Sequence, residues 1–370
     1  MTFSKNDMLW IADLAKPKRD KGYTRTFYSY PAKFLSKLPH GLIKRFSKQG
    51  ELIFDPYVGG GTTGLEAMLL ERRFIGYDLN PFGILISNVK TTYLDPNALG
   101  FHLDSIVTQL KKMNESKLDL LDDLDKICLG SLISHEINYI TECISIISQT
   151  SSFKEFFELA LIHAIKIVGR RDFEERKNWK KASIIPIFVR KAEKMIREMP
   201  SLPEKPKYVP TFRLASNHET ELEDNSVDLI VTSPPYKDKD VEYQQIQIQR
   251  RTLHRSKRSN IIPAILGSDP LPKNILCGGS GVDYWKNSEK SLQECYRVLK
   301  PHKLAFYWTG FKNISDLKYY EDQLVSTGFD LITTFQVKLS DDRAASSRST
   351  HHGRATGMMS YDYLFVVKEN

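Results

Sequence analysis

A chain of 370 residues has room for two or three domains of roughly 150 residues, and 41% hydrophobic with 26% charged residues is ordinary globular usage. That excludes a disordered chain, a fibrous one, and a small fold that needs disulfides to close its core. Lys and Arg number 53 against 45 Asp and Glu, and the net charge of +8 suits a polyanionic partner without requiring one.

No leader is read in MTFSKNDMLWIADLAKPKRD, and no stretch approaches the roughly 18 apolar residues of a membrane span; a cytoplasmic protein with no membrane partner is expected. Cys128, Cys143, Cys277 and Cys295 are scattered with no CxxC pair, so neither a disulfide framework nor a metal site is expected. Leu52-Ile53-Phe54 reads as a buried strand. Three glycines follow, then a helix with Leu65, Met68 and Leu69 on one face and Glu66 in its first turn, where the dipole favours an acid. Phe74-Ile75-Gly76-Tyr77 is a second strand, ending in Asp78. This strand–turn–helix–strand unit is the building block of a parallel sheet.

Residues 100–210 change character. Leu103, Ile106, Val107, Leu110 and Met113 recur at helical spacing, Leu120, Leu121 and Leu124 continue the style, and so do Phe157, Leu161, Ile162 and Ile165. A helical insertion is expected, with ASIIPIFV (182–189) as a buried segment and the three prolines of 201–210 as a linker back. Val227–Val231 is a buried strand that runs into Thr232-Ser233-Pro234-Pro235-Tyr236. Residues 237–287 are polar and basic with weak periodicity, and predict a long loop or small subdomain. Residues 288–301 predict a helix stopped by Pro301, Leu304–Trp308 a strand, and 314–327 a helix ending at Gly328. Strands near 329–337 and 361–367 close as a hairpin around the polar loop 340–357. The division expected is 1–99, a helical insertion over 100–210, and 211–370.

Gly59-Gly60-Gly61-Thr62-Thr63-Gly64 satisfies GxGxxG. A glycine turn between strand and helix lets a ligand approach the backbone, and the helix start offers unpaired N–H groups. Asp78, 19 residues after Gly59, can accept hydrogen bonds from ribose hydroxyls. A nicotinamide dinucleotide satisfies these facts; a nucleoside triphosphate does not, since no Lys-Ser/Thr follows the glycines. Asp55 at the strand end would repel a pyrophosphate and welcome an ammonium group such as that of S-adenosylmethionine, or it merely caps the turn. The TSPPY turn lies at a carboxyl strand end, where open α/β sheets bind ligands. Its prolines fix the backbone and remove two donors. The Ser233 hydroxyl and Pro234 carbonyl remain as acceptors suited to an exocyclic amino group, with the Tyr236 ring as a stacking face. An ordinary Pro-Pro turn with a packed tyrosine is the plainer reading.

Taken together, FDPYVGGGTTGLEA and TSPPY resemble the cofactor and catalytic motifs of the site-specific DNA methyltransferases that methylate cytosine N4 or adenine N6. YPAKFLSKLPHGLI (30–43) resembles the segment packed over the cofactor's methionine end, and RVLKPHKLAFYW (297–308) the helix–strand after the catalytic motif. The resemblance covers 25–95 and 215–370, and 216–231 lacks the Gly-Asp pair often found there. It implies an α/β fold, a seven-stranded Rossmann-like sheet with a largely helical insertion, carrying S-adenosylmethionine across its carboxyl edge. It places Asp55, Gly59 and Gly61 on the methionine part, with Pro56 and Thr62 in the same turn, Asp78 on the ribose, and Lys33 and Phe34 nearby. Ser233, Pro234, Pro235 and Tyr236 hold the target base.

The substrate so implied is double-stranded DNA with the target base flipped out, and a cognate restriction endonuclease is the partner the resemblance suggests. No Cys follows a Pro, which disfavours a cytosine-C5 reaction through a thiol. The Ser-Pro-Pro-Tyr form favours cytosine N4 over adenine N6; tRNA or rRNA base methylation is the second reading. Arg250, Arg251, Arg255, Lys257 and Arg258 make a basic run with no acid, and Arg343 and Arg348 a second one; both are expected at DNA phosphates. The target sequence is expected to be read by 100–210, by 237–287 or by both.

Overall fold

The computed structural model describes residues 4–15, 22–28, 30, 34–112, 116–147, 150–169, 183–237, 246–250, 255–269, 282–311, 313–338 and 361–369. Strands β1 (Leu52–Asp55), β2 (Arg73–Asp78), β3 (Thr211–Leu214), β4 (Val227–Thr232), β7 (Leu299–Thr309), β8 (Phe329–Lys338) and β9 (Tyr361–Glu369) form one sheet in the order β3-β2-β1-β4-β7-β9-β8. Its parallel part is five strands wide, β3 to β7. The last two strands are an antiparallel hairpin along β7. Every residue of β4 is buried, as a central parallel strand covered on both faces requires. Alternation sorts the side chains: Ile53, Leu229, Val231 and Phe306 face one core, while Phe54, Ile230, Ala305 and Tyr307 face the other.

The first core is closed by α1 (Lys5–Leu14) and α2 (Lys37–Phe46), the second by α11 (Val282–Val298) and α12 (Ile314–Thr327). Between β1 and β2 runs α3 (Thr62–Leu69). Glu66 is not in its first turn. It lies at the fifth position and is fully buried, held by Arg25 at 2.7 and 2.8 Å and by His40 at 3.0 Å. The helix over 288–301 begins earlier, at Val282, and ends at Val298. Pro301 lies inside β7, where His302 has a φ of 64° and the register with β4 shifts. Such a bulge tolerates a proline that cannot donate to the ladder. Gly328 closes α12 with a φ of 114°.

The insertion is helical: α4 (Pro81–Thr91) leads into α5 (Pro96–Leu110), α6 (Asp123–Leu129), α7 (Ser131–Ile147), α8 (Ser151–Gly169) and α9 (Ile185–Glu198). Leu120 and Leu121 precede α6 and are not helical, and Met113 lies outside the described residues. The buried segment expected at 182–189 is the start of α9, with Ile184 and Phe188 inside. One core runs from Leu65 and Met68 of α3, through Phe82 and Ile86 of α4, to Phe157, Leu161 and Phe188.

The stretch 237–287 is more ordered than weak periodicity suggests. It contains an antiparallel ribbon, β5 (Ile246–Arg250) and β6 (Arg255–Ser259), followed by α10 (Ile261–Leu266). The ribbon packs on α6 and α8. Ser259 donates to the buried Asp125 carboxylate of α6 at 2.7 Å. Isolated two-stranded ribbons are marginal in water, and this one borrows a helical surface.

Candidate active site

Strand order reverses between β1 and β4, which are neighbours in the sheet with connections leaving in opposite directions. Such a switch point opens a crevice at the carboxyl ends. Asp55 ends β1 and Thr232 ends β4, and the Thr232 hydroxyl donates to Asp55 Oδ1 at 2.6 Å. The Tyr57 amide donates to the same oxygen at 3.0 Å. Asp55 is 2% exposed. Burial pushes its carboxyl up to about 6, opposed by the Thr232 and Tyr57 hydrogen bonds.

The glycine turn follows. Gly59 and Gly61 have φ of 53° and 70°, and a Cβ on Gly61 would lie 2.5 Å from Ser87 Oγ, so only glycine fits there. The Gly59 amide donates to Asp78 Oδ2 at 2.7 Å and the Asn80 amide to Oδ1 at 2.8 Å. Asp78 thus ties the turn to the start of α4. Burial raises it too to about 6, against those two amides. Tyr30 lies over the turn, its Cβ 3.0 Å from where a Gly60 Cβ would stand, and its hydroxyl accepts from Asn80 at 3.0 Å.

A cavity of about 340 Å³ opens beside this turn. Pro56, Asp78 and Leu79 form one wall, Pro234 and Pro235 another, and Asn217 and Tyr284 lie between. A small ligand site typically has this size and a few placed polar groups. A nucleoside's hydroxyl donors fit this lining: the ionised Asp78 carboxylate is acceptor-only and keeps lone-pair capacity beyond its backbone amides.

Ser233 is half-buried and takes no hydrogen-bond partner among the described residues. The turn around it is pinned. Tyr284 donates to the Pro235 carbonyl at 3.2 Å, and Lys237 pairs with Asp316 at 2.6 Å while lying 5.1 Å from the Trp285 ring centre. Of the residues expected in the site, Pro56, Asp78, Pro234 and Pro235 line the cavity. Asp55, Gly59, Gly61, Thr62, Ser233 and Tyr236 belong to the two turns but not to its wall, and Phe34 packs on the core beneath α2. Lys33, Arg251, Arg343 and Arg348 lie outside the described residues. Arg250, Arg255, Lys257 and Arg258 stand on the ribbon, and their side chains are likewise outside them. Sequence reasoning missed Asn217, which donates to the Pro56 carbonyl at 2.7 Å, and Tyr284. Neither sits in a motif; chain reversal brings them in.

Residues 4–88 match the family model described as DNA methylase, for the N6 and N4 enzymes. The type II methyltransferase M.MvaI of Kocuria varians is 20% identical over 94% of this chain and 91% of its own length. Over these residues the chain is similar to the amino-methylating DNA methyltransferases. Shorter matches join the chain to M.MjaII of Methanocaldococcus jannaschii, 29% identical over 31% of this chain and 22% of that one, and to M2.DpnII of Streptococcus pneumoniae, 41% identical over 15% and 22%. Among solved structures it is similar to geranyl diphosphate C-methyltransferase from Streptomyces coelicolor, with 8% identity, a TM-score of 0.36 and coverage of 99% of this chain and 97% of that one. TrmN from Thermus thermophilus gives 12% identity, a TM-score of 0.34 and coverage of 91% and 49%. The cofactor of the methyltransferase family is S-adenosylmethionine.

Proposed function

We propose that the chain methylates the exocyclic amino group of a base flipped out of duplex DNA, with cytosine N4 as the target atom. The observation that carries this reading is the 2.6 Å hydrogen bond from Thr232 to Asp55, which locks the TSPPY turn beside the glycine turn at one strand-end crevice. S-adenosylmethionine, when bound, supplies an electrophilic methyl group. Asp78 accepts from its ribose hydroxyls, and the ionised Asp55, buried at the end of β1, favours its ammonium. The Ser233 hydroxyl and the Pro234 carbonyl accept the two N–H hydrogens of the base. Held so, the nitrogen keeps its lone pair out of conjugation with the ring. Tyr236 stacks on the base, and the prolines keep water from the reacting atoms. The ribbon and the insertion, joined through Ser259 and Asp125, act as one body that reads the target sequence.

The test is transfer from labelled S-adenosylmethionine to mixed-sequence duplex DNA, with product nucleosides separated by mass. N4-methylcytosine is the expected product. N6-methyladenine would move the target atom and keep the rest, and label found only in tRNA or rRNA would overturn the DNA reading.

A further inference from the structure

One face of α4 backs the glycine turn. Gly83, Ser87 and Lys90 stand four and three residues apart, so they share that face. Each meets a different glycine. A Cβ on Gly83 would lie 2.7 Å from the Gly59 carbonyl oxygen, and a Cβ on Gly61 would lie 2.5 Å from Ser87 Oγ. Lys90 reaches the glycine between them: its Nζ donates to the Gly60 carbonyl at 2.8 Å. Lys90 is 1% exposed, and its own backbone carbonyl accepts the Thr24 hydroxyl from the 3-10 turn Tyr23–Thr26.

Three consecutive glycines form the freest kind of backbone, and a ligand that binds a loose turn must first order it. Here the order is built in. The Gly59 amide is held by Asp78 at 2.7 Å. The peptide that links Gly60 to Gly61 is held at both ends: its N–H donates to the Val58 carbonyl at 3.0 Å, and its oxygen accepts from Lys90. Rotating that peptide would break both bonds and take Gly61 away from its φ of 70°. The Val58 bond is local to the turn. The Lys90 bond is charge-assisted and buried, which makes it the stronger of the two. It also comes from the helix whose cap residue, Asn80, donates its amide to Asp78 at 2.8 Å, so α4 fixes the acid and the turn together.

We propose that Lys90 is a positioning residue for S-adenosylmethionine: it sets the Gly60–Gly61 peptide in its receiving shape before the cofactor arrives. The proposal rests on the reading that the cofactor lies against this turn and Asp78. The methyl transfer itself asks nothing of the ammonium, which stays buried beneath the turn.

The experiment is calorimetric titration of the full chain with S-adenosylmethionine in the absence of DNA. Lys90→Met is expected to bind roughly tenfold more weakly than the wild type, as loss of one hydrogen bond from a charged donor allows. Methionine is apolar and of similar size, so the fold is expected to persist. Hydrogen exchange over residues 56–64, read by mass without cofactor, is expected to be slow in the wild type and faster in Lys90→Met. Unchanged affinity in Lys90→Met, whatever its melting midpoint, would make Lys90 a packing residue and overturn the proposal. So would a wild-type turn whose amides gain protection only when the cofactor is added, a result that needs no variant. Asp78→Asn tells the proposal apart from the reading beneath it. If Asp78→Asn weakens binding and Lys90→Met does not, the role of Lys90 alone is wrong. If neither change moves the affinity, the cofactor does not lie on this turn, and both are wrong.

Discussion

Asp78 spends one oxygen on the Gly59 amide and the other on the Asn80 amide, so an acid that lines the cavity also shapes the glycine turn beside it. Asp55 likewise joins two strand ends through Thr232. Burial raises both carboxyls from 3.8 to about 6. An ionised acid attracts a cation and accepts from hydroxyl donors more strongly than a protonated one does. Cofactor affinity therefore falls as pH drops through about 6, and Asp78→Asn removes much of that dependence in calorimetric titrations from about pH 5 to 8. Stability runs the other way. Between about pH 4 and 6 the folded chain holds more protons on these two groups than the unfolded chain, so their contribution declines as pH rises through that window. Ser233 has no hydrogen-bond partner among the described residues. Ser233→Ala is expected to lower single-turnover methyl transfer roughly 100-fold, by analogy with removing one transition-state hydrogen bond, and to leave cofactor binding unchanged. Full turnover by Ser233→Ala would remove the hydroxyl from the mechanism.

Glu66 shows how an element can depend on a distant one. It is fully buried in α3, and its charge is matched by Arg25 from the 3-10 turn and His40 from α2. The ion pair fastens the segment carrying Tyr28 and Tyr30 to the glycine-turn helix. Arg25→Ala leaves the carboxylate buried without its main partner and should cost about 3–5 kcal/mol in urea unfolding. Adding Glu66→Met should return much of that loss, since an apolar side chain of similar size carries no charge to compensate. Failure of the second change to rescue would mean that Arg25 acts through packing.

The insertion is not an appendage. Phe82, Leu85, Ile86 and Val89 of α4 share a core with Phe157, Leu161 and Phe188 of α8 and α9, and this core also holds Phe27, Tyr28 and Tyr30. Excising residues 96–205 would return those α4 side chains to water at roughly 25 cal/mol per Å². The truncated chain is expected to lose cooperative unfolding and to bind an apolar dye. A sharp melting transition in that chain would show instead that the α/β part folds alone. The ribbon depends on the same helices through α6 and α8.

Local rules sufficed for much of this molecule. The apolar runs of β1, β2 and β4, the φ-permissive glycines and the Gly328 cap are properties of neighbouring residues, and the sequence determined them unaided, along with the two motif turns. Pairing across the chain was beyond such rules. Glu66 read as a dipole-favoured acid because its partner stands 41 residues away, and the bond from Thr232 to Asp55 spans 177. Pro301 read as a helix stop, whereas the neighbouring β4 and β9 draw it into a bulged strand. The ribbon was invisible because its stability comes from helices more than 75 residues upstream. Tyr284 and Asn217 carry no motif. They reach the site only because the order of strands reverses between β1 and β4, and the geometry of the whole sheet sets that reversal.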